Sequence, residues 1–307
     1  MYHVYSEEDK QNYEKAQIAS ENGDKVKALK YYLKAAEAGI VPAMVACGNM
    51  YLEGEGCVKP NISKSMEWFK KAAEFENYTA MNNLGYIYEI LEDYEEAFKW
   101  YEKSAKLDNV TAMMNLAGFY LNGLGTRKNK RMAKFWTDKA ESFTDLKSIK
   151  EIAYYYSEAE AIEDHIEKAI EFYKKAVAMG DVDSMDELAH LYFEIEEYDL
   201  AEKLFFDAAW AGNTDAMTCL GIIWTNDYED FDKAHYWLSK AVKGGNIYAL
   251  KMMGDLYAKF KQYPKALRWY RKATHAGEFD AFEDIRKIKK LIQTSKTSYK
   301  LCLRKIN

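Results

Sequence analysis

Two apolar patterns alternate along this chain, and both have the period of an α-helix. The first puts apolar residues at positions 1, 2, 5 and 9 of a nine-residue phrase, which is one helical face. It occurs at residues 43–51 (AMVACGNMY), 80–88 (AMNNLGYIY), 112–120 (AMMNLAGFY), 148–156 (SIKEIAYYY), 184–192 (SMDELAHLY), 216–224 (AMTCLGIIW) and 249–257 (ALKMMGDLY). We call its helices A. The second phrase carries neighbouring aromatics between alanines. It occurs at residues 28–35 (ALKYYLKA), 65–72 (SMEWFKKA), 97–104 (AFKWYEKS), 133–140 (AKFWTDKA), 169–176 (AIEFYKKA), 201–208 (AEKLFFDA), 234–241 (AHYWLSKA) and 266–273 (ALRWYRKA). These helices B end near 35, 72, 104, 140, 176, 208, 241 and 273, a recurring period of 32 to 37 residues. Repetition at that period predicts an all-α solenoid of about eight stacked helix pairs. Each pair then contacts mainly its neighbours, so the array grows without a single central core.

The punctuation agrees. Three residues before most A phrases stand Asn77, Asn109, Asp145, Asp181, Asn213 and Asn246, with Ile40 as the exception. Short polar side chains there predict N-caps. Pro42 and Pro264 fall where helices begin, which a first turn tolerates. Small residues at Gly48, Gly85, Ala117, Ala153, Ala189, Gly221 and Gly254 predict close approach of helix A to helix B. Residues 7–21 read as a polar opening helix. Phe279, Phe282, Ile285, Ile288 and Ile292 make one stripe of a capping helix at about 279–292, which leaves 293–307 as a patternless basic tail.

The combined phrase A-x-x-x-L-G-x-x-Y, G-x-G, K-A-x-x-W-Y-x-K-A-A resembles the Sel1-like repeat, a relative of the tetratricopeptide repeat. Residues 43–56 with 64–73, and 112–125 with 132–140, match it best. Later repeats lack the G-x-G loop, and residues 157–165 (SEAEAIEDH) read as a long loop without glycine. The resemblance covers roughly residues 7–291. It implies a right-handed superhelix whose A helices line a concave face where partners bind, and an adaptor role of the kind met in secretion, degradation or virulence.

Composition narrows this further. The chain has 307 residues, 49% of them apolar, and only 3 Pro, so disorder is excluded for most of its length. No stretch is long and apolar enough to span a membrane. The N-terminus has no signal-peptide pattern, which predicts a cytoplasmic protein, or one exported by a route that leaves no N-terminal mark. The four cysteines, Cys47, Cys57, Cys219 and Cys302, show no paired spacing, so a disulfide framework is not expected. Net charge is −6. Arg286, Lys287, Lys289, Lys290, Lys296, Lys300, Arg304 and Lys305 crowd the last residues with no acid among them. The body before them is more acidic than the whole, which argues against nucleic-acid binding.

Catalytic chemistry finds little to stand on. The histidines are dispersed, and no His-x-x-x-His pair marks a metal site. The loops at 53–56 (EGEG) and 122–125 (NGLG) lack the lysine and preceding strand of a phosphate loop and read as turns. A lysine recurs before the terminal alanine of helix B, at Lys34, Lys71, Lys103, Lys139, Lys175, Lys240 and Lys272, with Asp207 as the exception. It reads as an apolar stem covering neighbouring surface.

The expectation is therefore a non-enzyme without cofactor or metal. It would bind a protein or peptide, with no nucleic acid, as a monomer or weak homo-oligomer. The resemblance puts Asn49, Asn82, Tyr86, Met114, Asn122, Lys147, Lys150, Tyr154, Asp186, His190, Thr218, Asn226, Lys251 and Asp255 on or near the binding face. Lys147 and Lys150 beside Tyr154 suit an acidic or C-terminal carboxylate group. Asn83 and Asn115 hold a position often Asn in the family and read as structural. Two alternatives stay open: a sensor whose superhelix changes shape on binding a peptide or metabolite, and an exported effector that binds a host protein.

Overall fold

The computed structural model describes residues 6–56, 59–159 and 164–306, with side chains as far as Gln293. It is an α-solenoid of helix pairs, and no strand occurs among the described residues. The helices divide into two compact units. The N-terminal unit holds α1 (Glu7–Glu21), α2 (Lys25–Glu37), α3 (Val41–Glu53), α4 (Ile62–Ala73), α5 (Tyr78–Ile90), α6 (Tyr94–Lys106), α7 (Val110–Asn122), α8 (Lys130–Glu141) and α9 (Leu146–Glu158). The C-terminal unit holds α10 (His165–Ala178), α11 (Val182–Glu194), α12 (Tyr198–Trp210), α13 (Thr214–Asn226), α14 (Phe231–Lys243), α15 (Tyr248–Lys259), α16 (Tyr263–His275) and α17 (Ala281–Ile306). Of the loop expected at 157–165, residues 160–163 lie outside the described residues. Its start is the end of α9. Among the described residues, no helix is long and apolar enough to cross a membrane.

The A helices start where the caps predict. Asn77, Asn109 and Asn213 accept the backbone N–H of Ala80, Ala112 and Ala216 at 2.8, 2.7 and 2.8 Å. Asp145, Asp181 and Asn246 do the same for Ser148, Ser184 and Ala249. Ile40 offers no side-chain cap, and Pro42 sits in the first turn that follows it. Five of the B helices are capped as well, by Asp24, Asn61, Asp93, Asn129 and Asp230, whereas α10, α12 and α16 have no side-chain cap. Asn109 is the buried example. Asn109→Ala is expected to lower stability by about 1 kcal/mol, read as a lower urea midpoint. No change at all would mean that packing alone holds the start of α7.

The two aromatic positions of helix B do different work. The second faces the small residue of the paired helix A. A side chain at Gly48 would strike the Phe69 ring, and one at Gly85 would lie 2.6 Å from the Tyr101 ring. Gly221 meets Leu238 and Gly254 meets Tyr270 in the same way. The first aromatic carries the recurring lysine. Lys71 lies over Trp68 at 4.2 Å, Lys103 over Trp100 at 4.0 Å, Lys175 over Phe172 at 4.0 Å and Lys272 over Trp269 at 4.1 Å. Residues three apart share a helix face, so the ammonium rests on the ring face while its stem covers apolar surface.

The G-x-G loops are turns with no space to spare. Gly54 and Gly123 end their helices in the left-handed conformation, and Gly56 and Gly125 also have positive φ. The second glycine of each loop lies against the first turn of the preceding helix B, Gly56 at the Lys25 carbonyl and Gly125 at that of Tyr94.

The end of the array differs from its sequence pattern. The capping helix does not stop near 292 but runs on to Ile306. Ile285, Ile288 and Ile292 pack onto the last repeat. Phe279 and Phe282 do not: both are exposed and stack on each other, ring centroids 6.3 Å apart. Phe279 lies in the turn before α17 and Phe282 in its first turn, so the stripe that the sequence draws through five residues packs only through its isoleucines.

Candidate functional site

The A-helix face of the N-terminal unit carries a row of polar cross-links. Asn83 of α5 donates its amide to Asn49 of α3 at 2.9 Å. Asn115 of α7 donates to Asn82 of α5 at 3.3 Å. Thr111 of α7 donates to Glu151 of α9 at 2.9 Å. All of these side chains are half-buried. Two tyrosines stand out from the same helices, Tyr86 at 50% exposure and Tyr154 at 62%.

Other expected site residues sit elsewhere. Met114 is 1% exposed and belongs to the core of α7. Thr218 is 2% exposed, its hydroxyl donating to the Thr214 carbonyl. Both fall on the flank of helix A turned toward its neighbours, so neither is available to a partner. The proposed clamp of Lys147 and Lys150 is also weaker than it looked. Lys147 faces Glu151 at 3.7 Å, an acid that cancels local charge, and Lys150 is half-buried. Asn122 and Asn226 are exposed at helix ends, and the Asn226 carbonyl accepts from Lys259.

Lys251 and Asp255 belong to the framework of the C-terminal unit. Tyr270 donates to Asp255 at 2.7 Å. Lys251 bridges Asp255 at 3.2 Å and Asp284 of α17 at 3.6 Å. Burial alone would lower the Lys251 pKa; the two carboxylates outweigh it and hold it above the ordinary value. Burial and Asp255 together push the Tyr270 phenol upward. This network ties the terminal helix to the last repeat.

Asp186 and His190 lie one turn apart on α11, and Cys219 of α13 comes up beside them. His190 Nε2 stands 3.8 Å from Asp186 Oδ2 and 3.7 Å from Cys219 Sγ. Burial pushes the Asp186 carboxyl up to about 6, against the opposing pull of His190. Burial, reinforced by Asp186 and Asp215, pushes the Cys219 thiol up to about 12. A thiol so held is protonated at neutral pH and is not a ready nucleophile. The sequence offered Asp186 and His190 only as partner-face residues. Cys219 was not singled out with them.

A further feature was not anticipated. Phe193, Tyr198, Phe205, Ile223 and Tyr228 line a cavity of about 410 Å3, with Glu202 and Asp227 also in its lining. The Phe205 ring meets the edge of His190, centroids 5.0 Å apart.

Comparison with known proteins fits this architecture. The Sel1 repeat model matches residues 19–40, 41–74, 110–142, 151–181, 228–246 and 248–278, and a tetratricopeptide repeat model matches 78–111. Comparison with curated proteins gives no match. Among solved structures, the chain is similar to a protective antigen present in uropathogenic Escherichia coli strains, described as displaying an SLR fold. That similarity is 26% identity over 92% of this chain and 64% of the antigen, with a TM-score of 0.44. It is also similar to a Sel1 repeat protein from Oxalobacter formigenes, with 24% identity over 86% of this chain and 99% of the other, and a TM-score of 0.44. The six matched segments together take in more than half of the sequence, and the chain belongs to the Sel1 repeat family.

Proposed function

We propose that this protein is a non-catalytic adaptor that holds an extended peptide segment along the A-helix face of its N-terminal unit. The observation that carries this reading is the row Asn49–Asn83, Asn82–Asn115 and Thr111–Glu151, which runs across α3, α5, α7 and α9. A carboxamide has two donor hydrogens and two acceptor lone pairs, and each cross-link uses one donor and one acceptor. The remaining groups match what a peptide main chain offers. Tyr86 and Tyr154 add flat apolar area with a polar tip at small entropic cost. Asn49, Asn82, Tyr86 and Tyr154 thus remain in the proposed binding face, while Met114, Thr218, Lys251 and Asp255 leave it.

The test is to pan a random peptide library against the full chain. Enriched peptides should compete with one another and should lose at least about tenfold in affinity, the equivalent of one good contact, in the Tyr86→Ala/Tyr154→Ala variant. No enrichment, or binding indifferent to that variant, would overturn the reading.

The sensor alternative draws support from one place, the aromatic cavity in the C-terminal unit. Its volume lies within the range of small-ligand pockets, about 300–1,000 Å3. Apolar metabolites or a single apolar side chain would suit it.

A further inference from the structure

We propose that Asp186, His190 and Cys219 form a zinc site that joins α11 to α13. Four observations lead there. The three side chains are the donor types zinc takes, carboxylate oxygen, imidazole nitrogen and thiolate sulfur. Their ligand atoms all lie within 4.8 Å of one another. In a tetrahedral zinc site, bond lengths of about 2.0–2.3 Å put neighbouring ligand atoms about 3.3–3.8 Å apart. The distances of 3.8 Å from His190 to Asp186 and 3.7 Å from His190 to Cys219 are close to that. Side-chain rotation on the order of 1 Å closes the remaining edge.

The second observation is independent of the clustering. Asp186 is 8% exposed, and its Oδ1 is shut off from solvent with no hydrogen-bond partner. A buried carboxylate oxygen without a partner is costly. Oδ1 shares its carboxylate with the Oδ2 that faces His190, so a cation bound by both oxygens, or after rotation of the carboxylate, would satisfy it. Third, the carboxylates of Asp183, Glu187 and Asp215 are close enough to Asp186 to act on it electrostatically. They lend the place a negative potential that draws cations. Asp215 is itself held by Asn246 at 2.7 Å and Asp183 by Asn213 at 3.3 Å, which leaves the inner three as the ligand set.

Fourth, the position is one the array already uses for cross-linking. His190 occupies the seventh place of its A phrase and Cys219 the fourth place of the next. Asn49 and Asn83 occupy those two places in the N-terminal unit, where they are hydrogen-bonded. The fold brings these two places together, and here they carry metal-binding chemistry instead of two amides.

Mixed oxygen, nitrogen and sulfur donors disfavour magnesium and calcium, which take oxygen. Binding forms Zn–O, Zn–N and Zn–S bonds and releases the Cys219 thiol proton to solvent, since a coordinated thiol is deprotonated. Three protein ligands leave a fourth position on the exposed side of His190 for water or a partner's side chain. The inference does not rest on the peptide-binding reading, because it concerns a different unit.

The experiment uses the full chain, stripped with a chelator and kept reduced, with Co2+ and Zn2+ as the probes. One Co2+ per chain should bind with a thiolate-to-cobalt charge-transfer band and the visible bands of a four-coordinate ion. Calorimetry with Zn2+ should give the same stoichiometry. Cys219→Ser should abolish the charge-transfer band, and both Cys219→Ser and His190→Gln should weaken Zn2+ binding by at least about tenfold. A Cys57→Ser/Cys302→Ser variant should keep the band. Circular dichroism shows whether each variant is folded. A folded wild type without the band, or a band that survives Cys219→Ser, overturns the proposal.

Discussion

Replacing Tyr101 with alanine is expected to destabilise the chain by about 3–5 kcal/mol. The side chain is wholly buried on α6, with its ring against Gly85 and edge-on to Phe119 at 5.2 Å. Gly85 has no side chain that could fill the space, so the cavity would persist. The hydroxyl adds a second element, donating to Glu89 at 2.7 Å. Burial, with the Glu89 charge and hydrogen bond, keeps this phenol neutral well above the usual tyrosine range. Tyr101→Phe removes the hydroxyl alone and should cost about 1–3 kcal/mol, the range for a hydrogen bond to a carboxylate partner left without its donor. Urea unfolding gives the magnitudes, and hydrogen exchange should place the lost protection in α5, α6 and α7. If phenylalanine costs as much as alanine, the ring's packing is not what holds this repeat.

Much of this architecture can be read before any coordinate is seen, because each element repeats. Asn77, Asn109, Asp145, Asp181, Asn213 and Asn246 predict their caps one by one, since a cap needs only a short polar side chain three residues from an apolar phrase. The recurring lysine shows the limit. Its spacing suggests a stem over apolar surface, yet which of two adjacent rings receives the ammonium depends on which one helix A covers. The capping stripe fails for a related reason: periodicity puts Phe279 and Phe282 in line with the isoleucines, but not within reach of the last repeat.

The site residues depend on pairing between helices, which one sequence shows only indirectly. Met114 and Asn82 each sit at the third place of an A phrase, yet Met114 is core and Asn82 is half-buried. The Asp186, His190 and Cys219 cluster escaped a search for histidine pairs within one helix because its thiol belongs to the next repeat. A signal existed, since Asn49 and Asn83 occupy the same two places. Reading the seventh place of each A phrase against the fourth place of the following one would have brought His190 and Cys219 together.

Gly125→Ala and Glu92→Gly should shift stability in opposite directions, although both residues have a φ of 59°. Left-handed backbone costs an L-residue about 1–2 kcal/mol, and glycine avoids that cost. At Gly125 a side chain would also lie 2.5 Å from the Tyr94 carbonyl carbon and 2.9 Å from the Glu95 nitrogen. These are backbone atoms at the start of α6, which cannot swing away as a side-chain tip can. The alanine variant should therefore lose about 2–5 kcal/mol, strain and overpacking together. Glu92 lies in the exposed turn between α5 and α6. Glycine there relieves the strain and gives back about 0.5–1 kcal/mol as unfolded-chain entropy, for a net gain between zero and about 1.5 kcal/mol. Urea midpoints of the two variants decide the matter. Equal losses would mean that the glycine of the G-x-G loop serves backbone conformation no differently from any other turn residue. Opposite signs would show that it is required by the carbonyl pressed against it, which ties the loop to the preceding repeat and explains why compact repeats, lacking that contact, manage with glutamate.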